Sequence, residues 1–120
     1  MKYDYFLICP VRTTTPEEQG RIRRWVAERE ADGKRVYWPA RDTDQGDSVG
    51  TAICHANRAG IEQAAVVAVW WSPVSRGSLF DLGIAWALRK PIELVNIVPM
   101  TDGKSFSNVL RAWEHGGQTG

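Results

Sequence analysis

A single acid, Asp81, lies inside a run of small and apolar residues in the middle of the chain. The run covers residues 75–85 and reads Ser-Arg-Gly-Ser-Leu-Phe-Asp-Leu-Gly-Ile-Ala. An apolar stretch typical of a buried strand precedes it at residues 64–71,. Asp81 is therefore expected one turn inside a helix at the carboxyl end of a strand, where open α/β sheets bind ligands. A carboxylate there can attack a substrate, act as an acid, or only stabilise the helix start.

The residues before Asp81 are suited to holding an anion. Ser75, Gly77 and Ser78 are predicted to form a small, hydroxyl-rich loop at a helix N-terminus. Backbone N–H groups at such a terminus bind phosphates and carboxylates. In the structural alternative, Ser78 and Asp81 form a helix start similar to a capping box, and no ligand is involved.

Strands and helices alternate along the chain. The apolar spacing predicts strands over 5–9, 35–38, 66–70 and 92–97, and helices over 15–32, 48–63, 80–89 and 105–113,. A polar loop is expected over 40–46, and a frayed end over 116–120. This order predicts one α/β domain over 1–120, a three-layer sandwich with a Rossmann-like parallel sheet flanked by helices.

Composition excludes several classes of function. The net charge of +1 gives no reason to expect a nucleic acid polymer or a membrane surface as partner,. No apolar run reaches the roughly 18 residues of a membrane helix. The chain has two cysteines, which predicts a reducing cytoplasm and no disulfide scaffold,. Neither a dinucleotide-binding nor a phosphate-loop motif is present, so no cofactor is expected.

Two further clusters leave alternatives open. Trp70 and Trp71 can stack on a nucleobase, or can pack under a helix and in a subunit interface, which we favour,. Asp42, Asp44 and Asp47 crowd one loop, where solvated turn residues explain them better than a metal site,. No metal is therefore expected.

The central block resembles the nucleoside 2-deoxyribosyltransferase family. The resemblance lies in Val-Val-Ala-Val at 66–69, Gly-Ser-Leu-Phe-Asp-Leu-Gly-Ile-Ala at 77–85, and Lys-Pro-Ile at 90–92. In that family, the acid at the position of Asp81 is the nucleophile. It attacks the anomeric carbon of a nucleoside, releases the base and forms a glycosyl-enzyme intermediate, as retaining glycosidases do. The resemblance thus implies a transferase or hydrolase of nucleotide metabolism.

One branch, the nucleoside 5′-monophosphate N-glycosidases, is the most similar. Ser75 matches that branch's serine, and Arg12 lies where an arginine contacts the 5′-phosphate. The resemblance implies a phosphate pocket formed by Arg12, Ser75, Gly77 and Ser78, with Phe6 against the sugar. It also implies that Asn108, near the start of the last helix, completes the site of a neighbouring subunit, which makes the active unit at least a homodimer.

Three positions depart from the family pattern. The nucleophile is Asp81 rather than glutamate, Asn57 falls near the family's second acid, and Ala65 replaces a further aspartate. An amide at residue 57 can orient a substrate but cannot share a proton. Three functions follow from these residues: an N-glycosidase or deoxyribosyltransferase, a non-catalytic nucleotide-binding or signalling module on the same fold, and another nucleotide-sugar enzyme that uses Asp81 as an acid.

Overall fold

A four-stranded parallel sheet forms the centre of the protein, in strand order β2-β1-β3-β4. The computed structural model describes residues 1–12 and 14–116, so most of the predicted frayed end lies outside the described residues. The elements are β1 (Tyr3–Ile8), α1 (Pro16–Ala31), β2 (Val36–Tyr37), α2 (Pro39–Asp42), α3 (Thr51–Glu62), β3 (Ala64–Val69), α4 (Arg76–Ala87), β4 (Ile92–Leu94) and α5 (Phe106–Glu114). The predicted parallel α/β fold is confirmed.

Side chains of the central strands alternate between two apolar layers, because successive residues of a strand point to opposite faces. On one face, Leu7 and Ala68 pack with the buried residues of α1. On the other, Phe6, Val67 and Val69 pack with α3, α4 and α5. The sheet is thus covered on both sides, as the continuous apolar pattern of β3 predicts. Among the described residues, no helix is both long and apolar enough to cross a membrane.

The ends of several elements differ from the sequence prediction. β2 and β4 are shorter than predicted, at two and three residues. A short helix, α2, occupies the first part of the predicted loop, because Pro39 stands at its first position, where a fixed φ favours a helix,. The start of α1 is as predicted: Thr15 and Glu18 form a reciprocal capping box, with both N···O distances 3.2 Å.

Helix α3 buries a polar residue and a glycine rather than an aliphatic stripe. Apolar spacing alone predicts that Ile53, Ala56 and Ile61 face inward, but the buried residues are Asn57, Gly60 and Ile61,. Gly60 has a packing reason: a Cβ added there would lie 2.9 Å from Cδ2 of Phe6. The helix therefore lies very close to β1, and this close approach carries Asn57, one turn earlier, into the interior.

Candidate active site

A cavity of about 600 Å³ opens at the carboxyl ends of β1 and β3. These strands are neighbours, but the chain leaves them in opposite directions, to β2 from one and to β4 from the other. Such a switch point is where open α/β sheets bind ligands. The predicted site residues that line this cavity are Arg12, Asn57, Ser75, Gly77, Ser78 and Asp81. Residues from three separate stretches of the chain, at 12, 57 and 75–81, thus share one cavity.

Helix α4, which carries Asp81, begins earlier than the sequence predicts. Ser75 is its N-cap, and its Oγ accepts a hydrogen bond from the backbone N–H of Ser78 at 3.2 Å. Gly77 and Ser78 therefore belong to the first helical turn rather than to a loop. Asp81 is the sixth residue of α4, beyond the turn in which an acid acts as a cap,. This geometry excludes the capping explanation of Asp81, and the N-cap is Ser75 rather than Ser78.

The carboxyl group of Asp81 is buried in the wall of the cavity. The residue is 9% exposed, and burial raises the pKa of its carboxyl to about 6. Asn57 on α3 opposes this rise, because its Nδ2 donates a hydrogen bond to Oδ2 of Asp81 at 3.2 Å. At neutral pH the group is mostly ionised, yet poorly solvated. A carboxylate in that condition is a stronger nucleophile and base than one in water.

Asn57 is itself held by a buried threonine. The Oγ1 of Thr43 donates to Oδ1 of Asn57 at 2.9 Å, and the hydroxyl of Tyr37 lies 2.6 Å from the same Oγ1. Thr43 is 6% exposed, although it follows α2 in a segment expected to be a polar loop. Sequence reasoning missed Thr43 and Tyr37, because nothing in their spacing indicates that the chain folds back over α3.

Positive charge lies on two sides of the cavity. Arg12 follows β1, as the family resemblance implies, and Arg76 is the first residue of α4. Arg76 was not among the predicted site residues. The signal that could have indicated it is its position directly after Ser75, the N-cap of α4. The hydroxyls of Ser75 and Ser78, which line the same cavity, lie 2.8 Å apart. Two arginines, two hydroxyls and a helix N-terminus together suit a phosphate group.

Phe6 does not line this cavity, and Asn108, which the resemblance assigns to the site of a neighbouring subunit, does not line the cavity of its own chain. Phe6 is fully buried and stacks on the Tyr37 ring, with ring centroids 5.3 Å apart. The amide of Asn108 is used within its own chain: Nδ2 donates to the carbonyls of Thr101 and Gly103 at 2.9 and 2.7 Å. Phe6 therefore supports the close packing of α3, and Asn108 holds the loop before α5.

The tryptophan pair and the aspartate cluster have structural roles. Trp70 packs with the α1 layer and donates its indole N–H to Glu18, whereas Trp71 lies in the opposite layer. Asp47 accepts from the N–H groups of Ala52 and Ile53 at the start of α3. Within the described part of the chain, no cluster of three or more His, Cys, Asp and Glu side chains could hold a metal ion.

A thiol shares the cavity with Asp81. Cys9 follows β1, and burial raises the pKa of its thiol to about 11, with a further contribution from the negative charge of Asp81. Cys54 on α3 also lines the cavity. Neither cysteine is in a disulfide.

The fold and this cavity define an α/β protein with an arginine-lined cavity at the switch point of its sheet. The chain belongs to the nucleoside 2-deoxyribosyltransferase family, because that family's model matches residues 7–109. Its fold is similar to that of the CMP N-glycosidase BcmB of Clostridium botulinum, with a TM-score of 0.56 and 22% identity over 75% of this chain and 68% of that one. No curated protein matches the sequence.

The comparisons confirm the family resemblance drawn from the central block of the sequence. At 22% identity, the structural neighbour establishes the fold and not the substrate,.

Proposed function

We propose that this protein cleaves the N-glycosidic bond of a nucleoside 5′-monophosphate, with Asp81 as nucleophile. The observation that carries the proposal is the position of Asp81, buried in the wall of a cavity that is also lined by Arg12 and Arg76. Family membership supplies the reaction class, and the charge and size of the cavity supply the substrate class. A volume of about 600 Å³ lies in the range of small-molecule sites,.

The reaction proceeds in two steps. The carboxylate of Asp81 attacks the anomeric carbon, a C–O bond forms, and the C–N bond breaks with its electron pair passing to the base, which takes a proton from water and leaves. A water molecule then attacks the same carbon, loses a proton and releases the sugar phosphate together with free Asp81. If a second base takes the place of the water, the same intermediate gives transfer instead of hydrolysis.

The phosphate subsite comprises Arg12, Ser75, Gly77 and Ser78, to which we add Arg76. Guanidinium groups form charge-assisted hydrogen bonds with phosphate oxygens, and the start of α4 contributes the positive end of its dipole. Binding energy from this remote group positions the anomeric carbon near Asp81, which raises the rate of the chemical step.

The proposal includes a homodimer that buries the outer face of α4 and α5. This face exposes Trp86, Phe106 and Val109 and contains a groove of about 360 Å³ whose lining residues carry no charge. Two copies can therefore meet there without repulsion. Phe80, also exposed on α4, lines the cavity that contains Asp81, so the same helix contributes to the cavity and to this face.

A non-catalytic nucleotide-binding module is the second candidate. The observation that favours it is the amide of Asn57 on Asp81, at a position where the resemblance implies a second acid. An amide leaves the site without a second carboxyl group to transfer a proton to the departing base. Such a protein would bind a monophosphate and leave it intact.

Base release from purified protein tests the proposal directly. We expect free base from one or more 5′-monophosphates, faster than from the matching nucleosides, measured by chromatography over time. Asp81→Ala and Asp81→Asn should each reduce release by about a thousandfold or more, because the covalent route is lost. Asp102→Asn is the matched control, since Asp102 is exposed in the loop before α5.

Two results would count against the proposal. Release at an unchanged rate from Asp81→Ala would remove Asp81 from the chemistry. Calorimetric binding of a monophosphate without release of base would favour the binding module.

A further inference from the structure

We propose that Thr43 and Tyr37 are positioning residues that fix the amide of Asn57 so that its N–H faces Asp81. The inference rests on the proposed function of Asp81, and it adds two residues that lie behind the cavity wall. Four side chains from β2, the segment after α2, α3 and α4 form one connected series: Tyr37, Thr43, Asn57 and Asp81.

The number of hydrogens fixes the direction of this series. The hydroxyl of Thr43 has one hydrogen, which it donates to Oδ1 of Asn57 at 2.9 Å,. The contact of 2.6 Å between Thr43 and Tyr37 must then use the hydrogen of the tyrosine. With Oδ1 of Asn57 engaged, its Nδ2 is directed toward Oδ2 of Asp81. Each residue of the series thus donates a hydrogen bond to the next one, and the last hydrogen bond is accepted by the carboxylate of Asp81.

This direction favours the ionised form of Asp81, because a hydrogen bond donated by an N–H group stabilises a carboxylate, whereas burial destabilises it. Without Thr43, the amide of Asn57 is free to rotate, and its oxygen can face Asp81 instead. The other ionisable side chains at the cavity are Cys9 and Arg12 after β1, Cys54 on α3, and Arg76 on α4. None of them belongs to the series, so removal of Thr43 leaves these groups unchanged.

The titration of Asp81, followed by ¹³C NMR of its carboxyl carbon, tests the inference without any need for activity. Thr43→Val removes the hydroxyl at nearly constant volume. We expect it to raise the apparent pKa of Asp81 by about one pH unit, as expected for the loss of a hydrogen bond to a charged group. Thr43→Ser keeps the hydroxyl and should titrate as the wild type does. Tyr37→Phe should give a smaller rise in the same direction.

A double-mutant cycle gives the second measurement. Asn57→Ala alone should raise the pKa of Asp81, and Thr43→Val should add nothing in that background, because both changes remove the same bond. An unchanged titration in Thr43→Val, or an equal additional rise in the Asn57→Ala background, would overturn the inference. Either result is independent of whether the protein releases a base.

If base is released, the pH profile distinguishes positioning from a loss of folded protein. Thr43→Val should lower kcat/KM about tenfold below pH 5 and leave it close to that of the wild type at pH 8, where Asp81 is ionised in both. A loss of equal size at every pH would indicate a merely structural role and would contradict the inference.

Discussion

The carboxyl group of Asp81 is subject to two opposing influences. Burial favours its neutral form and raises the pKa to about 6, while the amide of Asn57 favours the charged form. Folding must therefore place a charge in a site that solvates it poorly. A buried and poorly solvated carboxylate does not stabilise a fold, but it is typical of catalytic groups. This condition supports the proposed role of Asp81 as nucleophile.

The cost of this charge is measurable as a pH-dependent stability. The pKa of Asp81 is raised from 3.8 to about 6, so the neutral carboxyl group contributes to the free energy of unfolding. This contribution is fully present below about pH 4 and is lost as the pH rises toward 6,. The loss approaches about 3 kcal/mol at neutral pH. We therefore expect Asp81→Asn to be more stable than the wild type at pH 7 by up to that amount, and to lose this advantage near pH 4.

Urea unfolding at both pH values measures this difference. Asp102→Asn, at an exposed acid, should track the wild type throughout. A destabilised Asp81→Asn at pH 7 would show that the carboxylate contributes net stability and would refute the argument from burial.

The sequence predicted the site residues that lie close together along the chain or follow a predicted strand. Ser75, Gly77, Ser78 and Asp81 stand in one short block, and Arg12 follows a strand that ends at the same edge. Thr43 could not be predicted, because its role depends on tertiary contact with Asn57, 14 positions away. The resemblance implied that Phe6 contacts the sugar. Instead, Phe6 packs in the core against Gly60, where the absence of a side chain leaves room for its ring.

Among the elements, α3 has the greatest effect on the site. Its glycine lies against Phe6 and Tyr37, where an added Cβ would be 2.9 Å from the first ring and 3.3 Å from the second. Atoms at such distances cannot be accommodated without a shift of the helix or the rings. Since Asn57 is one turn from Gly60, a shift of α3 also moves the amide that faces Asp81.

Gly60→Ala should therefore destabilise the protein by about 1–3 kcal/mol, although alanine is the better helix former. Gly20→Ala is the matched control, since Gly20 lies within α1 and has no neighbour within 4 Å of an added Cβ. The control should gain up to about 1 kcal/mol in thermal or urea unfolding. Equal stabilisation of both variants would show that α3 has room to move.

The order and type of the main elements followed from the apolar periodicity, whereas their ends did not. The start of α1 could be located because the Thr15 and Glu18 pair is a specific signal. The start of α4 was placed too late, because Ser75 and Ser78 are both plausible N-caps and the sequence alone does not rank them. The helix α2 was missed because four residues are too few to show a period.

On the scale of the whole molecule, apolar surface is unevenly distributed. The exposed residues of α1 are mostly charged, Arg23, Arg24 and Glu28 among them, whereas the outer face of α4 and α5 exposes Trp86 and Phe106, which are 45% and 62% exposed. Large contiguous apolar patches of this kind mark interaction surfaces in folded proteins.

We expect sedimentation velocity to show a homodimer that Phe106→Asp dissociates at least tenfold more readily, because the substitution buries a charge in the interface. Val49→Asp is the control: Val49 is 83% exposed, but it precedes α3 and lies outside the α4–α5 face. A wild-type monomer, or equal effects of both variants, would contradict this assignment of the interface.

The raised pKa of Cys9 determines how the cavity responds to oxidants and alkylating agents. With a pKa of about 11, only about one in ten thousand of these side chains is a thiolate at pH 7,. The thiolate is the form that peroxides and alkylating agents attack. Burial is the main cause of this raised pKa and the charge of Asp81 a smaller one, so Cys9 stays protonated beside the ionised acid and reacts slowly with such agents.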